Sequence, residues 1–158
     1  MEPQLDHVFS FAHKEGKAYW FDGNLMEIKA SGEETNDVFC LIEGLHPAGY
    51  ETPLHLHRNE EESLYILEGE VTYTIGDKTM TGKAGTFIYA PRNMPHKFKV
   101  VGGEPARTLT LLTPAGGEQF YIESGVATDE RKLPPVTLKP DIEKMMAASQ
   151  RYGIEILG

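Results

Sequence analysis

Apolar and polar positions alternate along the chain in short bursts, each bounded by Gly, Pro, Asn or Asp. Residues 18–21 and 25–30 form two such bursts, joined by Asp22-Gly23-Asn24, a sequence that suits a hairpin turn. The polar, acidic stretch 31–36 reads as a loop, 37–43 as a strand, and 44–49 as another loop. Within that loop His46 precedes a proline and is expected to be solvated, with the mouth of a site as its other destination. After Gly69, Val71, Tyr73 and Ile75 alternate with Thr72 and Thr74, and Gly76-Asp77 turns the chain into 78–81. Further strands are expected up to Pro91, over 96–100 after it, and over 106–113 beyond Gly102-Gly103. Many short, evenly spaced strands predict an all-β sandwich or barrel. The tail has a different texture. It predicts a short helix over 117–124 ended by Gly125 and a polar connection over 126–139. A second helix follows, capped by Asp141 and closed by Gly153, with Ile142, Met145, Met146 and Tyr152 on one stripe that needs a surface to cover.

The chemistry gathers between residues 49 and 69. If 53–58 is extended, successive side chains alternate faces and His55 and His57 project from the same side. The run Asn59-Glu60-Glu61-Glu62 reads as a tight connection, after which 63–67 is expected to return beside the first strand and carry a carboxylate to the two imidazoles. Neutral imidazole with carboxylate suits a first-row transition metal. Two histidines on one strand are equally at home facing solvent, so a second segment decides. In 96–100 the period of two groups His96 with Phe98 and Val100, opposite Lys97 and Lys99. That places a third histidine on an inward face, where it needs a partner.

These segments resemble the cupins. The first cupin motif, Gly-x5-His-x-His-x4-Glu-x6-Gly, is matched without a gap by Gly49, His55, His57, Glu62 and Gly69. The second, Gly-x5-Pro-x-Gly-x2-His-x3-Asn, is matched by Gly85, Pro91 and His96, with Asn93 in place of the glycine and Val100 in place of the asparagine. Asn tolerates positive φ better than other non-Gly residues, and the family's asparagine is not a ligand, so neither departure touches the site. The resemblance implies a jelly-roll β-barrel with short C-terminal helices, over a single domain 1–158 with its barrel at about 18–114 and a helical tail at about 115–158. It also implies one divalent transition metal (Fe, Mn, Ni, Co, Cu or Zn) held by His55, His57, Glu62 and His96. Glu60 and Glu61 compete for the carboxylate role, and the spacing to Gly69 selects Glu62, which is expected to act as fourth ligand, as catalytic base, or as both.

Among cupins the chain is similar to small proteins grouped with quercetin dioxygenases, which cleave flavonols or related enols with O2. The segment 151–158 also resembles that group. The resemblance leaves three activities open: such a dioxygenase, another metal-dependent enzyme such as an isomerase or cyclase, and a non-catalytic binding or sensing module. It also makes a homodimer reasonable, with the tail stripe covering either the chain's own barrel or the partner.

Composition narrows the partners. With 158 residues the chain can bury a proper core without suggesting a second domain. Its 24 acidic against 15 basic residues give a net charge of −9, which disfavours nucleic acid and anionic membranes and leaves a small-molecule substrate. Cys40, the single cysteine, lies in an apolar run and reads as a buried thiol. The start, Met1-Glu2-Pro3-Gln4-Leu5-Asp6, lacks a targeting pattern, and His7 and His13 read as surface histidines. The expectation is a cytoplasmic protein.

Overall fold

A computed structural model describes residues 7–158, so the reading of Met1–Asp6 as an untargeted start lies outside the described residues. The chain begins with β1 (Lys17–Phe21) and β2 (Asn24–Ala30), turned by Asp22 and Gly23 at φ 48° and 84°, the left-handed pair that a tight hairpin needs. The stretch read as a loop then forms the short helix α1 (Gly32–Thr35). Glu34 Oε1 accepts the backbone N–H of Ser31 at 3.0 Å, and that local cap was hidden by the acidic composition. Next come β3 (Cys40–His46), β4 (His55–His57), β5 (Glu61–Glu68), β6 (Glu70–Ile75), β7 (Lys78–Lys83), β8 (Phe87–Ala90), β9 (His96–Val101) and β10 (Ala106–Thr113). The tail supplies α2 (Glu118–Ser124), β11 (Val126–Thr128), α3 (Ile142–Arg151) and β12 (Ile154–Ile156).

Two antiparallel sheets face each other. One runs β11-β1-β2-β3-β10-β5-β8 and the other β12-β4-β9-β6-β7. The alternation read from the sequence sets their inner faces: β10 buries Ala106, Thr108, Thr110 and Leu112 and turns the residues between them outward. Leu64, Ile66, Val71, Tyr73, Ile88 and Val100 fill one part of the interior. Phe21, Met26, Ile42, Leu112, Phe120 and Met145 fill another, where the helices close over the sheets. Cys40 is fully buried there, and burial, followed by the charge of Glu118, pushes its thiol far up. His7 and His13 are exposed.

Four expectations are corrected. β5 does not return beside β4; the two lie in opposite sheets, because β5 pairs with β10 and β8 while β4 pairs with β12 and β9. β3 runs on through His46, which is therefore a strand residue and not a loop residue. The polar connection after α2 contains β11, which pairs with β1, and the chain's last strand, β12, pairs with β4. Finally, α3 is capped by Asp141, whose Oδ1 accepts from Lys144 N at 3.1 Å, but its buried face is Met145, Ala148 and Ser149. Ile142 and Met146 are 58% and 45% exposed, because the packed stripe is centred on Met145 rather than between the two methionines. Among the described residues no helix is long and apolar enough to cross a membrane.

Candidate metal centre

Three strands deliver four side chains to one point. The single β4–β9 pairing sets His55 directly opposite His96, and the alternation of β4 sends His57 to the same side as His55. The imidazole centroids lie 4.4 Å apart for His55–His96, 5.2 Å for His55–His57 and 5.3 Å for His57–His96. Glu62 comes from β5 in the facing sheet, where it sits opposite Ala90 and Leu112. Its Oε2 reaches 2.6 Å from His96 Nε2 and 3.4 Å from His57 Nε2. One potential ligand atom from each of His55, His57, Glu62 and His96 lies within 4.8 Å of those from the other three. The four residues selected from sequence are thus brought together.

The backs of the imidazoles fix which nitrogen faces inward. His55 Nδ1 donates to Pro53 O at 2.8 Å and His96 Nδ1 to Met94 O at 2.9 Å. A carbonyl only accepts, so in both rings the neutral tautomer carries its proton on Nδ1 and presents the Nε2 lone pair to the centre. His57 Nδ1 is held by Glu60 Oε1 at 2.8 Å. His57 Nε2 and His96 Nε2 are buried and lack a hydrogen-bond partner, although Glu62 Oε2 lies close to both. Two inward lone pairs beside a carboxylate oxygen repel one another unless a positive charge sits among them. This is the fit a divalent cation requires, with hydrogen bonds behind the ligands that aim them.

Without an ion, a proton answers that repulsion. Burial opposes charge on His57, but its hydrogen bond to Glu60, the close approach of Glu62 and the charges of both outweigh it and raise its pKa to about 9. Burial would raise Glu62, yet the close approach and charge of His57 and His96 hold its carboxyl well below the usual range. His55 goes the other way, to about 4, through burial first and then the neighbouring His96.

Behind Glu62, Tyr73 donates from its hydroxyl to Oε2 at 3.4 Å, and burial followed by the charge of Glu62 keeps that phenol protonated. The centre opens into a cavity with about 70 Å³ of space for water centres. Its walls include Phe21, Met26, Phe98, Phe120, Tyr121 and Met145, which draw on both parts of the core and on both helices of the tail.

Two residues of this region escaped the sequence reading. Glu60, weighed there only as a rival to Glu62, is buried and serves as the support of His57; a carboxylate three residues after a ligand histidine was the available signal. His46, expected in solvent, is 4% exposed and lines the cavity. Ile42, Gly44 and His46 share the buried face of β3, so the period of two pointed to it once the strand was allowed to continue.

A family description of the cupin domain matches residues 41–112, which contain all four side chains. An uncharacterised protein of Methanocaldococcus jannaschii is 38% identical over 74 residues, covering 47% of this chain and 59% of that protein. Quercetin 2,3-dioxygenase of Bacillus subtilis is 26% identical over 121 residues, covering 77% of this chain and 36% of the enzyme. The chain therefore spans less than two-thirds of the length of either relative. KdgF of Halomonas sp. superposes with a TM-score of 0.61 at 14% identity, over 71% of this chain and 97% of that one, a likeness of fold alone. The matched segment, residues 41–112 with both motifs spanning the two facing sheets, is a cupin domain.

Proposed function

We propose that the chain is a metal-dependent enzyme that acts with dioxygen on a small enol or phenol. The observation that carries this reading is the pair of buried, unpartnered nitrogens, His57 Nε2 and His96 Nε2, close to Glu62 beside a cavity with several aromatic walls. One divalent transition metal (Fe, Mn, Ni, Co, Cu or Zn) held by His55, His57, Glu62 and His96 would supply Lewis acidity there and, for a redox-active ion, reactivity towards O2.

The chain's own residues do the rest. Glu62 Oε2, ionised and within reach of the cavity, takes the proton from the substrate's enolic O–H. Tyr73, hydrogen-bonded to that same oxygen, keeps the carboxylate turned towards the centre. Glu60 holds His57 in register, and the aromatic walls exclude bulk water, which strengthens each polar contact inside. Similarity to quercetin 2,3-dioxygenase supports the choice of O2 chemistry. The size of the cavity supports a smaller substrate than a flavonol. About 70 Å³ is far below the roughly 300–1,000 Å³ of sites for drug-sized ligands. One ring or a short diketone fits that space.

The test is elemental analysis of protein purified without chelators or a metal-binding tag, followed by oxygen-electrode assays with catechols, enolised diketones and flavonols. Bound metal and O2 uptake with the smaller compounds are expected. Turnover without O2 uptake would replace the reading with an isomerase or cyclase, and tight phenol binding without turnover would replace it with a sensing module.

A further inference from the structure

In the same cavity a second polar group is built from Asp22, Asn24, His46 and Tyr50, with Thr108 bonded to His46. Tyr50 donates its hydroxyl to Asp22 Oδ2 at 2.9 Å. Asn24 donates both amide hydrogens, to Phe21 O at 3.1 Å and Asp22 O at 3.2 Å, which turns its Oδ1 towards His46 Nδ1 at 2.9 Å. Because that oxygen only accepts, His46 carries its proton on Nδ1 and receives the Thr108 hydroxyl at Nε2, 2.9 Å away. His46 also stacks on Tyr50 with ring centroids 5.9 Å apart and an interplanar angle of 14°. The strand beneath is cut to fit: a Cβ at Gly44 would stand 2.6 Å from His46 Nε2.

Every donor hydrogen of this group is consumed inside it. Those of Tyr50, Asn24, His46 and Thr108 all point at protein acceptors, while Asp22 Oδ1 accepts none from the described residues and the Tyr50 oxygen, beside the Asn24 amide, keeps a lone pair for a further donor. Asp22, Asn24, His46 and Tyr50 line the same cavity as His55, His57 and Glu62. Thr52 also lines the cavity, where its oxygen accepts the N–H of Phe98 at 3.0 Å and its own O–H hydrogen stays free to donate outside the pair. Asp22 is half-buried and lines the cavity, and burial raises its carboxyl against the opposing hydrogen bond from Tyr50.

We propose that Asp22 and Tyr50 form an acceptor pair that selects substrates carrying, besides the enol, a hydrogen-bond donor, a hydroxyl or an ammonium. Carboxylates and phosphates in place of that donor are rejected, because the pair offers them a negative charge and no donor. The inference rests on the small-enol reading above and adds the chemistry of the substrate's second polar group. His46 acts as a positioning residue: through Asn24 it fixes the β1–β2 turn and through stacking it fixes Tyr50.

The test is calorimetric binding to metal-loaded protein of acetylacetone and of its derivatives bearing a terminal hydroxyl, ammonium or carboxylate on short tethers of increasing length. In the wild type at least one hydroxyl and one ammonium derivative should bind about tenfold tighter than acetylacetone, and every carboxylate weaker, since a hydrogen bond to a charged group contributes about 1.5–3 kcal/mol. Asp22→Asn is the diagnostic variant. Asn tolerates the φ of 48° found there, and its amide offers a donor, so the ammonium preference should vanish and the carboxylate penalty should relax. Tyr50→Phe keeps the carboxylate and should keep the ammonium preference. Equal ranking of the derivatives in wild type and Asp22→Asn, with acetylacetone still bound, would overturn the acceptor pair alone. Failure of acetylacetone itself to bind would overturn the small-enol reading and this inference with it.

Discussion

At the residue scale, Glu62 separates ligation from catalysis. Glu62→Gln keeps an oxygen that can ligate and leaves three imidazoles, so the metal should stay, but an amide cannot take the proton from an enol. Turnover on a confirmed substrate should fall by about 10²–10⁴-fold at unchanged metal content, read by steady-state kinetics beside elemental analysis. Retention of full activity would remove the base role. His46 gives a prediction that needs no substrate. Burial lowers its pKa from 6.5 to about 3, so between those values the unfolded chain binds a proton that the folded chain does not. Stability should therefore drop as pH falls from about 6.5 towards about 3, by an amount on the order of a few kcal/mol from this one residue. Urea melts over that range should show a shallower acid limb for His46→Gln. Parallel limbs would mean that His46 is protonated in the folded chain.

At the scale of elements, the centre hangs on a strand of only three residues. β4 meets β9 at the single pair His55–His96, and most of its backbone support comes from β12, through Ile154–His57, Glu155–Leu56 and Ile156–His55. Two further bonds, Arg58 N to Gly153 O at 2.8 Å and Leu157 N to Leu54 O at 2.7 Å, bracket that pairing. Truncation after Gly153 should accelerate amide exchange in β4 by about tenfold or more and weaken metal retention, while β5 and β10 stay protected. Uniform exchange across both sheets would show that β12 stabilises the whole barrel rather than the site. The same element marks where the sequence stopped being informative. β1, β2, the β6–β7 hairpin and β10 were readable because alternation and turn residues are local signals. That β12 pairs with β4, and that β5 faces β4 instead of joining it, is decided by long-range pairing for which a three-residue strand carries no signature. The four clustered residues were readable because the cupin motifs they resemble name them, whereas Asp22 and Tyr50 reach the cavity from positions 28 residues apart and meet only in the fold.

At the scale of the whole molecule, apolar burial rather than the ion should hold the fold. The interior of Leu64, Ile66, Val71, Ile88 and Val100 is complete without a cation, at roughly 25 cal/mol per Å² of buried apolar surface. Metal-free wild type and His57→Ala should both melt cooperatively well above room temperature, with metal loading raising the wild-type midpoint alone. Unfolding of both at room temperature would make the ion structural and weaken the enzymatic reading. The central claim is that one divalent transition metal sits among His55, His57, Glu62 and His96. Its most direct test is anomalous diffraction at the absorption edge of the metal found by elemental analysis, on crystals of protein purified without chelators. One peak is predicted, about 2.0–2.2 Å from Nε2 of each of the three histidines and from a carboxylate oxygen of Glu62. A peak elsewhere in the molecule, or none among these four side chains in metal-loaded crystals, would contradict it.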